Sequence, residues 1–375
     1  MKIAILSDGI WPLVIGGMQK HTYLLACNLA KHNIEVDIYC KKEESSSNLT
    51  PQFCISATKN ITIIYIEIIP YTFVGAYLYN EYVFSKKILA LISSLQTSYN
   101  FIYAQGFTAL AFVGKSKFFN NLGVNLHGLE PFQITHGLKN SVSAFVFRTV
   151  QKFIIKRTKF NFSLGGKLTG YLCKYSNKVN IIEIPNGISA RWLNAGTISN
   201  SINKKHFLFI GRYETRKGID NLHNALKLLI DSKVEFSISF IGPIPLHKQI
   251  IHPSITYLGK LINENEIKEV VSQHQVLVCP SYSEGMPTVI LEAMSQKLAI
   301  IANNVGACSL LVDDTNGWLM EGNSSQLIYD TMLSALKNTG LNEKQNKSYE
   351  KAKNYDWSII AQKHIEFFQT LRSGK

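Results

Sequence analysis

Glu284-Gly-Met-Pro-Thr-Val-Ile-Leu-Glu292 is the stretch that decides the fold. The run before it, Gln275-Val-Leu-Val-Cys-Pro280, is short, apolar and rich in valine, which predicts a buried strand. The residues after it predict a helix. Pro287 suits the first turn of that helix, where its fixed φ is helical and its missing N–H is not needed. A strand ends, a loop carries Glu284, and a helix begins with Glu292 about one turn in. In open α/β sheets ligands bind in the crevice outside the carboxyl ends of the strands. Two glutamates eight positions apart are, by themselves, more often solvated charge than a site. The rest of the chain decides between the two.

His206-Phe-Leu-Phe-Ile-Gly211 predicts a second strand, and Ile219, Leu222, Leu226 and Leu229 follow helical spacing. Between them runs Arg212-Tyr-Glu-Thr-Arg-Lys217-Gly218. Arg212 and Lys217 therefore sit beside a helix N-terminus, whose free N–H groups attract anions. Arginine adds a planar fork of donors for phosphate, and lysine adds a mobile point charge. The chain opens with the strand Lys2-Ile-Ala-Ile-Leu6, then Trp11-Pro12, Gly16-Gly17 and a helix from about Met18. A glycine pair there lets backbone approach a ligand, although a plain tight turn explains it as well. His127 follows the strand Gly123-Val-Asn-Leu126 within Asn125-Leu-His127-Gly128, where a structural role is the commoner one for a lone histidine. Ile184-Pro-Asn-Gly-Ile188 is turn-prone and marks a boundary.

Taken in order, these segments resemble the retaining family 4 glycosyltransferases, the glycosyl transferases group 1, of the GT-B fold. The matching elements are the Glu-x7-Glu pair, the GR-x4-KG loop at Arg212–Lys217, the Gly16-Gly17 pair, the His127-Gly128 element and the Pro185-Asn-Gly segment. The resemblance spans nearly the whole chain. It implies two Rossmann-like α/β domains with parallel sheets facing across a cleft. Residues 1–186 would bind the acceptor and residues 204–354 a nucleotide-sugar donor, and a terminal helix (355–373) would cross back to the first domain. The implied reaction moves a hexosyl unit from a nucleotide-diphosphate sugar, with UDP favoured, to a saccharide acceptor with retention of configuration. The acceptor would be lipid-linked, in bacterial surface polysaccharide, lipopolysaccharide or glycan biosynthesis. Catalytic roles would fall to His127, Arg212, Lys217 and Glu284. The donor would be held by Gly16, Gly17, Gly285, Met286, Pro287, Thr288 and Glu292, with the base near Gly242, Gly259, Lys260 and Leu261. No metal and no cofactor beyond the nucleotide sugar is implied. Two loops depart from the family pattern. Pro243-Ile-Pro245 replaces a Gly-x-Gly turn and removes N–H donors. Val305-Gly306-Ala-Cys-Ser-Leu-Leu311 lacks a second glycine and a glutamate.

Composition agrees with this reading. The 375 residues are 46% hydrophobic and 17% charged, enough for two buried cores in a globular chain. Strands alternate with amphipathic helices, which predicts parallel sheets. The patch Lys41–Ser47 reads as a surface loop, Asn186–Lys205 as an interdomain linker, and Tyr355 to about Leu371 as helix. Cys27, Cys40, Cys54, Cys173, Cys279 and Cys308 show no Cys-x2-Cys pair and most lie in apolar runs, which predicts reduced, buried thiols. No apolar run approaches the ~20 residues of a membrane span, and the first strand does not read as a signal peptide. The expected location is cytoplasmic. The net charge of +13 is uneven, because no acidic residue lies between Glu130 and Glu183. That interval holds the basic helix Phe145–Arg157, so peripheral attachment to the inner face of the cytoplasmic membrane through an anionic surface is expected. No nucleic-acid motif accompanies the charge, and no nucleic-acid partner is expected. A Rossmann oxidoreductase lacks the Gly-x-Gly-x-x-Gly fingerprint. A non-catalytic GT-B subunit, a nucleotide-sugar-binding partner protein, fits the fold, but no motif looks damaged.

Overall fold

A computed structural model describes residues 1–42, 58–73, 75–95, 98–132, 138–177, 180–193 and 206–373. These fall into two compact units. One comprises the described residues up to Asn186 together with those from Trp357 onward, and the other spans Gly187–Asp356.

The first unit is a seven-stranded sheet of β1 (Lys2–Leu6), β2 (Glu35–Lys41), β3 (Ile61–Ile66), β4 (Phe101–Gln105), β5 (Leu122–Asn125), β6 (Phe160–Ser163) and β7 (Ile181–Glu183). Their order is β3-β2-β1-β4-β5-β6-β7, and every neighbouring pair is parallel. A parallel sheet is covered on both faces, which is why its strands read as continuous apolar runs. Helices α1 (Gly17–Lys31), α2 (Ala76–Ser94) and α3 (Leu138–Arg157) connect the strands. The helix Trp357–Ser373 closes the core, which holds Trp357, Ile360, Ile365 and Phe368 beside Ile3, Ile5, Phe101 and Phe162. The ring of Phe101 lies 5.1 Å from that of Phe368.

The second unit is a six-stranded sheet of β8 (His206–Ile210), β9 (Ser237–Ile241), β10 (Ile255–Tyr257), β11 (Val276–Cys279), β12 (Ala299–Asn303) and β13 (Gly317–Met320), in the order β10-β9-β8-β11-β12-β13. All its pairs are parallel. Ile219, Leu222, Leu226 and Leu229 of the helix Ile219–Asp231 are fully buried in its core.

Several sequence expectations are corrected. Pro287 is not in the first turn. It caps the helix Thr288–Ser295 at ψ 113°, which is extended backbone. The terminal helix starts at Trp357, because Tyr355 N bonds Ala352 O and Tyr355 O accepts from Ile188 N (2.7 Å). The linker segment is packed at its start. Ile188 bridges Asp356, and buried Trp192 donates from Nε1 to Glu264 Oε1 (2.8 Å). Residues 194–205, most of the 41–47 patch and Cys54 lie outside the described residues. Cys27, Cys40, Cys279 and Cys308 are buried thiols outside any disulfide, whereas the Cys173 thiol, also outside any disulfide, is exposed. The basic helix also differs from its reading. The Arg148 guanidinium donates twice to Pro131 O and lies over Phe132. Lys152 lies over the Tyr175 ring. The exposed face of α3 instead carries Phe145, Val146 and Phe153, followed by Lys156 and Arg157.

Candidate active site

In the second unit the strand order reverses between β8 and β11. The loops that follow these two strands therefore meet at the switch point, where a ligand crevice forms. Backbone locks them together. Tyr282 N donates to Arg216 O (2.8 Å). Gly218 has φ 68°, and a Cβ there would stand 2.0 Å from Pro280 O, so only glycine permits this approach.

The lock brings the cationic loop onto Glu284. Lys217 Nζ lies 2.6 Å from Glu284 Oε1, and the two side chains are 15% and 7% exposed. Ser281 Oγ donates to the same oxygen (2.8 Å), and Arg216 Nη1 stands 3.8 Å from the other. Arg212 is not drawn into this pair. Its Nε lies 2.9 Å from Glu214 Oε1, Glu214 Oε2 binds Arg216 Nε (3.0 Å), and the Arg212 side chain is 67% exposed. The loop thus presents three cations: Lys217 makes the close pair with the largely buried Glu284, Arg216 is shared between Glu284 and Glu214, and Arg212 pairs with Glu214.

Gly285 and Met286 continue from Glu284. Gly285 O accepts from Ala307 N (2.8 Å). Gly306, at φ 55°, brings backbone so close that a Cβ would lie 2.2 Å from Glu284 O. Met286 and Glu292 are buried, and Thr288 opens the helix that carries Glu292. Gly242 joins the same edge: its N donates to Gly259 O (2.8 Å), and a Cβ on it would stand 1.9 Å from Gly211 O. Gly259 and Lys260 are exposed and Leu261 is half-buried.

Gly16, Gly17 and His127 belong to the first unit, near the ends of β1 and β5. Gly16 is extended (φ 179°) and caps α1. A Cβ on it would meet Gln19 Oε1 at 2.1 Å, whereas one on Gly17 would meet nothing within 4 Å. Gln19 Nε2 donates to Asp8 Oδ1 (2.7 Å), and burial raises the Asp8 carboxyl, with Lys41 and Gln19 opposing the shift. His127 is half-buried and ends a polar chain. Its Nε2–H donates to Gln105 Oε1 (2.7 Å), and Gln105 Nε2 donates to Thr22 Oγ1 (2.5 Å). Its backbone N–H donates to Asn125 Oδ1, Asn125 Nδ2 donates to the Tyr103 hydroxyl, and that hydroxyl faces His21 Nε2 at 3.4 Å. His21 Nδ1–H donates to Asn186 Oδ1 (3.0 Å). Amide oxygens only accept, so they set both imidazole tautomers. Burial, then the neighbouring His21, hold the His127 imidazole well below its ordinary value. The ring is neutral, and its Nδ1 lone pair is its acceptor.

Sequence reasoning singled out Lys217 and Arg212 but missed Arg216 and Glu214 of the same loop, and Ser281. It also missed Gln105, Asn125 and Asn186. The last three carried a signal, because amides at the carboxyl ends of β4 and β5 and beside β7 interrupt apolar runs.

Two parallel-sheet α/β units with this site define the GT-B class of fold. The chain superposes on sucrose-phosphate synthase from Thermosynechococcus elongatus with TM-score 0.81 and 15% identity, over all of both chains. Residues 204–338 match the family model for glycosyl transferases group 1. A protein of Bacillus subtilis (strain 168) named as a teichuronic acid biosynthesis glycosyltransferase, TuaC, is 29% identical over 125 residues, 33% of this chain and 31% of that one. The UDP-Gal:alpha-D-GlcNAc-diphosphoundecaprenol alpha-1,3-galactosyltransferase of Escherichia coli is 27% identical over 180 residues, 43% of this chain and 46% of that one. The chain thus matches less than half the length of these relatives.

Proposed function

We propose that this protein is a retaining hexosyltransferase that takes its sugar from a nucleotide-diphosphate donor, favouring UDP, and delivers it to a lipid-linked saccharide. The observation that carries this reading is the clamped cationic loop, in which Lys217 meets Glu284 and Arg216 stands beside it. Arg212, Arg216 and Lys217 grip the diphosphate and stabilise the charge that grows as the glycosidic bond breaks. One such preorganised donor is worth ~3 kcal/mol, about a hundredfold in rate. Glu284 positions Lys217 and faces the donor sugar, together with Gly285, Met286, Pro287 and Thr288. Glu292 accepts from the ribose hydroxyls, and Gly242, Gly259, Lys260 and Leu261 flank the base. The first unit binds the acceptor. There Gly16 and Gly17 approach the phosphates, and His127 accepts a sugar hydroxyl at Nδ1. The acceptor oxygen bonds to the anomeric carbon as the carbon–phosphate oxygen bond breaks on the same face, and the leaving phosphate takes the acceptor proton. The cations carry the charge without a metal.

The E. coli relative's name supports a UDP-sugar donor and a diphosphoundecaprenol-linked acceptor. Such an acceptor places the enzyme at the inner face of the cytoplasmic membrane. Among the described residues no helix is long and apolar enough to cross a membrane. The test is incubation of the protein with a panel of nucleotide sugars and polyprenyl-diphosphate saccharides, in the presence of chelator. The expected result is an α-linked product from an α-linked donor. Absence of both transfer and donor hydrolysis across the panel overturns the reading.

A further inference from the structure

The polar chain that ends at His127 begins on backbone. It runs from Ser7 through Thr22 and Gln105 to His127, and its first three side chains are fully buried. An amide has nearly the same shape whichever way round it stands, so contact with the ring does not fix which atom of Gln105 faces it. The far end of the chain does. Ser7 Oγ gives its proton to Gly9 O (2.7 Å). Thr22 Oγ1 gives its one proton to Met18 O (3.0 Å), with Ser7 Oγ also in reach at 3.1 Å. Thr22 then has only lone pairs left, so the end of Gln105 that meets it (2.5 Å) is the NH2 group. The amide oxygen therefore faces the imidazole (2.7 Å), and Nε2 must carry a proton. Turning the amide over would draw the Thr22 proton away from Met18 O and leave the chain one bond short. No water stands ready to replace a bond lost in a buried site.

The backbone serves the same end. His127 stands at φ 54°, a left-handed conformation uncommon for a residue other than glycine, and its N–H is held by Asn125 Oδ1 (2.8 Å). Such a conformation persists where the surroundings over-determine it. His21 of α1 meets the ring edge-on at 5.2 Å, with Tyr103 of β4 and His364 of the terminal helix around His21. Burial keeps both of these other imidazoles neutral. Glu130, three residues on in the same loop, is exposed. The partner of Nε2 is an amide rather than a carboxylate, so that side of the ring does not favour an imidazolium. We propose that Thr22 and Gln105 are positioning residues that lock His127 with its proton on Nε2, so that a bare Nδ1 meets the sugar as an acceptor. This rests on the transferase reading above, in which a sugar hydroxyl donates to Nδ1. The sugar gains positive charge as its bond to phosphate breaks, so a neutral acceptor suits the reaction where an imidazolium would oppose it.

The first readout is spectroscopic and needs no substrate. Long-range proton–nitrogen correlation of the full chain with labelled histidine, His127→Asn supplying the assignment, should show a protonated Nε2 and a bare Nδ1 near neutral pH. Thr22→Val keeps the side-chain shape and removes the anchor, so the Gln105 amide is free to turn. The His127 signals should then report mixed tautomers, and kcat should fall about tenfold with affinity for the bare nucleotide unchanged. Thr22→Ser restores the hydroxyl and should restore both. Gln105→Glu sets a carboxylate against Nε2, which raises the imidazole pKa and protonates Nδ1 as well. Its kcat relative to the parent should fall about tenfold or more between pH 9 and pH 6, a dependence that lost packing alone does not produce. Averaged tautomers in the parent protein overturn the lock. So does Thr22→Val with an unchanged spectrum, or a Gln105→Glu ratio that is flat with pH. The spectrum also separates the two readings. A locked ring with neither transfer nor donor hydrolysis overturns the transferase alone, and turnover with an averaged ring overturns the lock alone.

Discussion

Lys217 and Arg212 lie in one loop, but their surroundings differ, and their replacements should fail differently. Lys217 is mostly buried against Glu284, so Lys217→Ala takes from a buried carboxylate its closest cation and leaves Arg216 at 3.8 Å, a loss of about 3 kcal/mol at most. Arg212 is exposed and bound to Glu214 at the surface, where an ion pair is worth under about 1 kcal/mol. Both variants should cut transfer at least tenfold, but only Lys217→Ala should lower Tm appreciably. Equal melts, or wild-type turnover at saturating donor, would contradict this. Glu284→Gln keeps an oxygen for Ser281 and Lys217 but loses the charge. It should therefore lower turnover more than it lowers affinity for the bare nucleotide, as titration calorimetry against kcat would show. The alternation of strand, loop and helix was enough to place Arg212, Lys217 and Glu284 at a strand's carboxyl end. The division of labour between Arg212 and Arg216 was not legible, because loop dihedrals decide which guanidinium turns toward Glu214 and which also nears Glu284.

Glycines separate close approach from mere permissiveness at the level of elements. Gly218→Ala places a methyl in Pro280 O at a left-handed φ, so the loops after β8 and β11 must part. Transfer should fall at least tenfold, and Tm should drop. Gly17→Ala meets open space at the start of α1, where alanine stabilises by roughly 0.4–1 kcal/mol. A more stable Gly17→Ala with unchanged turnover would remove Gly17 from the phosphate role; lost turnover with raised Tm would support it. Element types and core faces were legible because the apolar periodicities are strong, as at Ile219, Leu222, Leu226 and Leu229. The orientation of α3 was not. Arg148 and Lys152 turn inward onto Pro131 O, Phe132 and Tyr175, partners distant in sequence that no periodicity reveals.

Acid sensitivity belongs to the whole molecule. Burial lowers His21 to about 4 and His364 to about 3. The rings facing His21 include His127, Tyr103 and Trp357, and His364 faces Tyr103, Phe162 and Phe368. Both imidazoles are neutral in the folded and the unfolded chain above pH 6.5. Below it the unfolded chain binds two protons that the fold excludes, so stability is lost as pH falls from 6.5 toward 4. The expected slope is ~2.7 kcal/mol per pH unit from these two groups. Urea midpoints at pH 7, 6 and 5 would show it, and His364→Leu should lower the slope by one group's share, ~1.4 kcal/mol per pH unit. A flat profile would mean that the rings titrate freely. The two-unit α/β plan itself was legible throughout the chain, because each parallel sheet demands its own alternation of strands and helices.

The helix Trp357–Ser373 places Trp357, Ile360, Ile365 and Phe368 in the core of the first unit. During synthesis, residues 1–186 leave the ribosome long before this wall exists, whereas Gly187–Asp356 is contiguous and complete when the wall arrives. The unit begun first is therefore finished last, and one apolar face of its nascent sheet waits covered only in part, by α1. A chain ended at Asp356 should show this order directly. Pulse proteolysis should spare the 206–356 fragment and degrade the first unit, and a synthetic 357–373 peptide should restore its protection.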